Sequence, residues 1–205
     1  MAKNTSPSCK QCRREGCKLF LKGERCLTKC SFDKRPVVPG QHGTARKKIS
    51  EYGIQLREKN KVRRTYGMLE KQFRIYYEKA VASKESTGFA LLKMLELRLD
   101  NVVYRSGFGV SRAESRQIVN HGHVTVNGKK VNIPSYQVKV GDVIAVKEKS
   151  TSSELFAGIK EARVIVPKWL EFDSAKLSGK IVSLPERDDI DLTIAEHLII
   201  ELYSK

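Results

Sequence analysis

The sequence predicts an α+β protein in which a small antiparallel sheet is confined to one module and helices make up most of the remainder. Three observations carry this expectation. Five cysteines crowd into the first 30 residues, helical periodicity runs from Thr44 to about Val103, and helix, loop and hairpin signals follow one another without a gap from Ser111 to Lys130. Four segments result: a cysteine-bearing extension and loop over 1–43, a helical domain over 44–94, a helix-and-sheet module over 95–149, and a C-terminal α/β segment over 150–205 that packs with the others. With 205 residues and 40% hydrophobic content, the chain can bury a real core.

Charge narrows the partner. The formal net charge of +16 is enough to drive association with nucleic acid or an anionic membrane. A spanning helix is not expected, because no apolar run approaches the roughly 18 residues one requires, and MAKNTSPSC lacks a signal peptide's apolar stretch. Residues 1–64 hold 18 Lys/Arg against 5 Asp/Glu, whereas 150–205 hold 7 against 10. The first third is therefore the electrostatic anchor, and the last quarter is scaffold or faces something other than a polyanion.

Cys9, Cys12, Cys26 and Cys30 form the pattern C-x2-C-x13-C-x3-C, with Cys17 between the pairs. Two close pairs separated by a loop suit a tetrahedral four-thiolate site, and four cysteines leave no open position for catalysis, so a metal here would be structural. One zinc ion is the expected cofactor. An iron–sulfur cluster takes the same four thiolates, and reduced metal-free thiols or disulfides are the competing readings. Arg13, Arg14, Lys18, Lys22, Arg25 and Lys29 lie beside the thiolates, where a folded loop would hold them against phosphate. Arg35 to Gly43, RPVVPGQHG, is a connector whose prolines and glycines deny it regular structure, and His42 within it is read as a loop histidine.

Helix is predicted from Thr44 onward. Lys47, Lys48, Arg57, Lys59, Lys61, Arg63 and Arg64 crowd a stretch with few acids, and Arg57, Lys61 and Arg64 share a face. Phosphates would neutralise them; an ordinary solvated face is the alternative. Leu69, Phe73, Tyr76, Tyr77 and Ala80, then Leu91, Leu92, Leu95, Leu99 and Val103, have the spacing of core-facing helices. The two tyrosines are read as packing residues.

Ser111 followed by Glu114 reads as a capping box, so a short helix starts there. Arg112, Arg116 and Asn120 project from one face of it and leave Ile118 and Val119 to the core. Val124 to Val126 and Val131 flank Asn127-Gly128, a dipeptide that accepts the positive φ angles of a two-residue type I′ turn, with Lys129 and Lys130 on the return strand. Ile133 to Ser135 breaks the pattern, Gln137 to Val140 alternates, Gly141-Asp142 turns, and Val143 to Val146 runs apolar. Beyond, a helix is expected over Ser152 to Ala162 and strands over Lys180 to Leu184 and His197 to Tyr203, divided by the acidic run Glu186 to Asp191. Trp169 is expected in a core. The sequence holds no phosphate loop, nucleophile elbow or HExxH pattern, and too few residues outside the module for a separate catalytic domain, so no enzyme is expected.

The runs RLDNVVYR, SRAESRQIVNHGHVTVNGKKV and VKVGDVI, together with LKGERC, PGQHG and the close HLIIELYSK, resemble the bacterial and plastid small-subunit ribosomal protein S-four family over nearly the whole chain. The resemblance implies a four-cysteine metal loop and helical domain with an inserted RNA-binding module. In that module the capped helix and following loop lie against RNA, which here involves Ser111, Arg112, Arg116, Gln117, His121, His123, Asn127 and Lys130. It also implies early binding to a helix junction in the 5′ domain of small-subunit ribosomal RNA, contact with ribosomal protein S-five, a place where messenger RNA enters, and a bearing on decoding accuracy. The location would be the cytoplasmic ribosome, or the plastid stroma in an organelle, with no small-molecule substrate. In metal-bearing relatives the second cysteine pair has spacing x4, one more than here, which keeps Cys17 open as a substitute ligand. An RNA-modifying enzyme or a small non-ribosomal RNA-binding factor carrying the same module is the alternative.

Overall fold

The computed structural model describes residues 3–45, 48–157 and 166–204. Its contacts divide the chain into two compact units, one of residues 1–91 and 192–205, the other Leu92–Asp191.

The first unit is helical. After α1 (Ser8–Glu15) come two single-turn helices, α2 (Arg25–Thr28) and α3 (Ser31–Lys34), then α4 (Glu51–Thr65), α5 (Glu70–Val81) and the first half of α6 (Thr87–Glu96). Helix does not begin at Thr44 as expected. It begins at Glu51, where the Ser50 hydroxyl accepts the Gly53 N–H at 3.2 Å and so caps α4. Phe73, Tyr76, Tyr77 and Ala80 line the buried face of α5, as their spacing predicts. The chain returns to this unit at its end.

That return corrects an expectation. His197 to Tyr203 reads as a strand in the sequence but forms α10, the last helix (Glu196–Ser204). A short apolar run fits either period, and packing decides here. Ile199 is buried, and the Tyr203 ring stacks on Tyr77 at 4.5 Å and faces Phe73 at 6.2 Å. The Tyr203 hydroxyl donates to Glu70 at 2.7 Å, Lys59 donates to the same oxygen at 2.8 Å, and Gln55 on α4 donates to Glu201 at 2.9 Å.

The second unit joins helices to a five-stranded antiparallel sheet. The second long apolar pattern breaks at Leu97-Arg98, so that α6 and α7 (Leu99–Arg105) are separate helices. They are followed by α8 (Arg112–Asn120), β1 (Val124–Val126), β2 (Lys129–Lys130), β3 (Val143–Val146), the single-turn helix α9 (Glu154–Ala157), β4 (Leu170–Asp173) and β5 (Ser178–Ile181). The strand order is β2-β1-β3-β5-β4. The two-residue hairpin forms as predicted, with Asn127 and Gly128 at φ of 50° and 77° and Val126 opposite Lys129. Gln137 to Val140, expected to be strand, makes only an isolated bridge to Arg98. Strand β5 opens at Ser178 rather than Lys180, and its hairpin partner β4 was not foreseen; together they extend the module's sheet through β3. Of the helix expected over Ser152 to Ala162, Glu154–Ala157 is helical and the rest lies outside the described residues.

Among the described residues, one continuous core of seventeen buried apolar residues, including Val102, Phe108, Ile118, Val119, Val124, Ile144, Trp169 and Ile181, holds α7, α8 and the sheet together. Trp169 is 1% exposed and anchors it as expected.

The α10 contacts generate a test. Burial disfavours the Glu70 carboxylate, but the hydrogen bonds from Lys59 and Tyr203 overcome that cost and hold its pKa below the usual carboxylate value. A depressed folded-state pKa gives stability that is present above the unfolded value and lost as pH falls through the folded one. Replacing Tyr203 with Phe should therefore cost about 1 kcal/mol at pH 7, the typical worth of one hydrogen bond. In denaturant titrations the gap from the wild type should shrink once Glu70 is protonated; a gap unchanged at low pH would refute this account.

Candidate nucleic-acid interface

Ser111 caps α8 as its sequence predicts, its hydroxyl accepting the Glu114 N–H at 3.3 Å. The Glu114 carboxylate reaches back one residue further than a capping box requires, to the Val110 N–H at 2.8 Å. Loop and hairpin then meet at the C-terminal end of α8. Gln117, His121, Lys129 and Lys130 are exposed there, and a Cβ at Gly122 would strike the Lys130 side chain, which therefore lies across that glycine. His123 is half-buried, with Nδ1 at 3.0 Å from the Ser150 hydroxyl and its ring edge-on to Phe156. Asn127 is exposed, but its amide is engaged: Nδ2 donates to Asp142 at 2.8 Å and Oδ1 accepts the Val143 N–H at 2.9 Å, which fastens the turn to β3.

The predicted basic face of α8 is not a single open face. Arg116 is 7% exposed, and its Nη1 donates to Asp100 at 2.7 Å. Arg112 is half-buried, with Nε on Asn101 Oδ1 at 2.9 Å and its guanidinium over the Tyr104 ring at 4.5 Å. Side chains at i and i+4 share a side of the helix, but here that side borders α7, whose acid and amide take the two guanidinium groups.

The stripe on α4 is also answered from within the chain. Arg57 and Arg64 both pair with Glu15 at the end of α1, Lys61 pairs with Glu58 at 2.5 Å, and Arg63 lies 3.6 Å from Glu70. These four thus meet acids within the chain, Glu15 from far away in sequence and Glu58 and Glu70 from nearby, beside whatever phosphates supply. Glu15's side chain is wholly buried, and burial pushes its carboxyl up even against Arg64, Arg57 and Lys61. Arg14, Lys22, Arg35 and Lys48 are exposed, whereas Arg13 is half-buried and its Nε donates to the Val37 carbonyl at 2.7 Å. Lys47 lies outside the described residues.

All five cysteines are free thiols. Cys12 and Cys26 are buried, Cys9 and Cys30 half-buried. Burial pushes the Cys12 thiol up, the Leu19 N–H bonded to it works the other way, and the charges of Cys26, Cys9 and Cys30 push it up further. Cys12 thus feels the other three sulfurs, and the Lys22 N–H points at Cys26 Sγ from 3.3 Å. Cys17 has other company: burial raises its thiol pKa, and beyond that it feels Lys61, Glu15 and Glu58. Among the described residues no group of three or more His, Cys, Asp or Glu side chains meets the geometry of a metal site. The donor chemistry suits a thiophilic ion, but the sulfurs do not stand at ligand spacing.

The sequence reading missed the polar residues behind the interface. Glu96, Arg98, Asp100 and Asn101 are all buried, and Arg105 grips Glu96 with Nε and Nη2, both at 3.1 Å. Their signal was present as four charged residues and an asparagine inside an apolar helical pattern. Burial of that kind requires partners in the chain.

An exposed cationic rim on a helix–hairpin module, in a chain whose helical unit is basic as well, marks the class of nucleic-acid-binding proteins. Residues 3–96 match the family described as Ribosomal protein S4/S9 N-terminal domain, and residues 97–144 match the S4 domain. The chain is 64% identical to Small ribosomal subunit protein uS4 of Ruminiclostridium cellulolyticum and 64% identical to that of Acetivibrio thermocellus, in each case over 100% of both chains. The protein of the same name in Desulforamulus reducens is 59% identical, again over the full length of both. The chain belongs to the small ribosomal subunit protein uS4 family, whose members are structural and not enzymes.

Arg116→Ala should act on stability first. Breaking a buried ion pair costs about 3–5 kcal/mol, and the value here should fall near the lower end because Arg98 stays on Asp100. Equilibrium unfolding checks this, and a loss below about 1 kcal/mol would show that Asp100 does not depend on Arg116.

Proposed function

We propose that this protein binds a helix junction in the 5′ domain of small-subunit ribosomal RNA early in subunit assembly. As a uS4 family member it is a structural, RNA-binding constituent of the small ribosomal subunit. The observation that carries the finer reading is the rim at the end of α8, where Gln117, His121, Lys129 and Lys130 are exposed together. Cations there and on the extension release counterions from phosphates, while the polar side chains read ribose and unpaired bases.

The same reading assigns a surface contact with ribosomal protein S-five, a position where messenger RNA enters and an influence on decoding accuracy; the full-length likeness to uS4 proteins supports it. The cytoplasmic ribosome is the location. Among the described residues no helix is long and apolar enough to cross a membrane.

We further propose one structural zinc ion held by Cys9, Cys12, Cys26 and Cys30. The four-thiolate donor set supports it, as do the influence of Cys26, Cys9 and Cys30 on the Cys12 thiol and the backbone N–H groups directed at Cys12 and Cys26. An ion would supply charge neutralisation to four thiolates and fix the segment that carries Arg14 and Lys22.

Two experiments follow. Deleting residues up to Arg64 should weaken binding to most structured RNAs and lower the salt slope by roughly 0.7–0.9 per lost phosphate contact. Preference for the ribosomal junction over an unrelated duplex should survive in the remaining module; loss of that preference would move specificity into the extension. Metal analysis of the purified protein should find one zinc per chain, kept in Cys17→Ser and lost in Cys30→Ser. The reverse pattern would overturn the ligand set.

A further inference from the structure

Arg112 and Arg116 leave the same helix one turn apart, yet the structure gives them different kinds of partner. Arg116 donates to the carboxylate of Asp100, which Arg98 already grips through bonds of 3.0 and 2.7 Å. Arg112 donates through Nε to the amide oxygen of Asn101 at 2.9 Å. A carboxylate cancels charge as it orients; an amide orients and cancels none.

Asn101 is itself fixed. It is 3% exposed, and its Nδ2 donates to the Glu96 carbonyl at 3.0 Å and to Glu96 Oε2 at 2.7 Å. Two acceptors on the nitrogen side settle the orientation of the amide, so its oxygen must face Arg112. The Glu96 carboxylate is anchored in turn by Arg105, which also bonds Asp191. Burial would lower the Arg105 pKa, but Glu96 and Asp191 raise it well above its usual range, so this anchor stays charged at any working pH. The far side of the Arg112 guanidinium is set by the Tyr104 ring.

We propose that Asn101 is a positioning residue for RNA binding, which holds the Arg112 guanidinium over the Tyr104 ring as a preorganised cation, with Glu96 and Arg105 as its buried anchor. The inference rests on the reading of the α8 helix and hairpin as the RNA interface. A long side chain ordered during folding need not lose that rotamer freedom again on binding. Replacing Asn101 would leave the net charge intact and free Arg112 to move.

A double-mutant cycle tests this with the full-length protein and a fragment of small-subunit ribosomal RNA containing the junction. Arg112→Ala and Asn101→Ala should each weaken binding about tenfold. The double variant should be weaker than Arg112→Ala by no more than about twofold, since both changes remove the same contact. Asn101→Ala should also lower the salt slope by roughly 0.7–0.9, as though a cation had been removed, although it removes none. A loss of packing alone would leave that slope where it was. If Arg112→Ala weakens binding and Asn101→Ala does not, or if the two effects multiply in full, the relay is overturned and the interface reading stands. If Arg112→Ala leaves binding unchanged, the interface reading fails at this residue and the relay fails with it. Should thermal unfolding show that Asn101→Ala does not fold, Tyr104→Leu decides. Its effect should vanish in the Arg112→Ala background, and an undiminished effect there would overturn the proposal.

Discussion

Asp100 is the residue on which the module depends. It opens α7, is 5% exposed, and receives Arg98 from the turn before it and Arg116 from the facing helix. Its backbone N–H donates to the Pro134 carbonyl at 3.1 Å, and that of Leu99 to Tyr136 at 2.9 Å. A single residue thereby ties together α7, α8 and the irregular segment between β2 and β3. A buried carboxylate with one weak partner would be a net cost, whereas both oxygens of this one are charge-assisted acceptors, which offsets its desolvation. The apolar core can then close around α7 and α8 without a polar gap between them.

The same physics divides the cations of the chain into two populations. Arg57, Lys59, Lys61, Arg63, Arg64, Arg98, Arg105 and Arg116 each meet an acid within the fold, often one far away in sequence. Arg14, Lys22, Arg25, Lys29, Lys34, Arg35, Lys48, Lys129 and Lys130 lie exposed on the extension, just before α4 and on the hairpin. A formal charge of +16 therefore overstates how many side chains greet a polyanion and understates how many build the framework that presents the rest. Arg112 is half-buried, with Nε held on an amide oxygen.

What the sequence made legible follows this division. Local signals were reliable: the Ser111 cap, the Asn127-Gly128 turn and the apolar spacing of α5 depend on neighbours a few residues away, and all three form. Long-range electrostatics were not legible, because nothing between Glu15 and Arg64 announces that a carboxylate 49 residues upstream will sit against that guanidinium. Arg116 shows the limit most clearly. Its spacing from Arg112 fixed its side of the helix correctly, but the occupant of that side is decided by where α7 lies. The last helix was misread for a related reason, since HLIIELYS has no strand or helix preference strong enough to outweigh the aromatic pocket that receives Tyr203.

The sheet carries the argument one step further. Its order, β2-β1-β3-β5-β4, leaves two edges of opposite character. The β2 edge is two lysines long, both exposed, and beside it lies the end of α8 with His121; the β4 edge carries Glu171 and Asp173, also exposed. A short, charged edge strand is a poor template for pairing with another chain, so each edge disfavours edge-to-edge association. On the β2 side that protection coincides with the exposed cationic rim, whereas the β4 side is acidic. The C-terminal segment, acidic overall, thus completes the sheet that positions the basic hairpin and carries its exposed acids on the opposite edge.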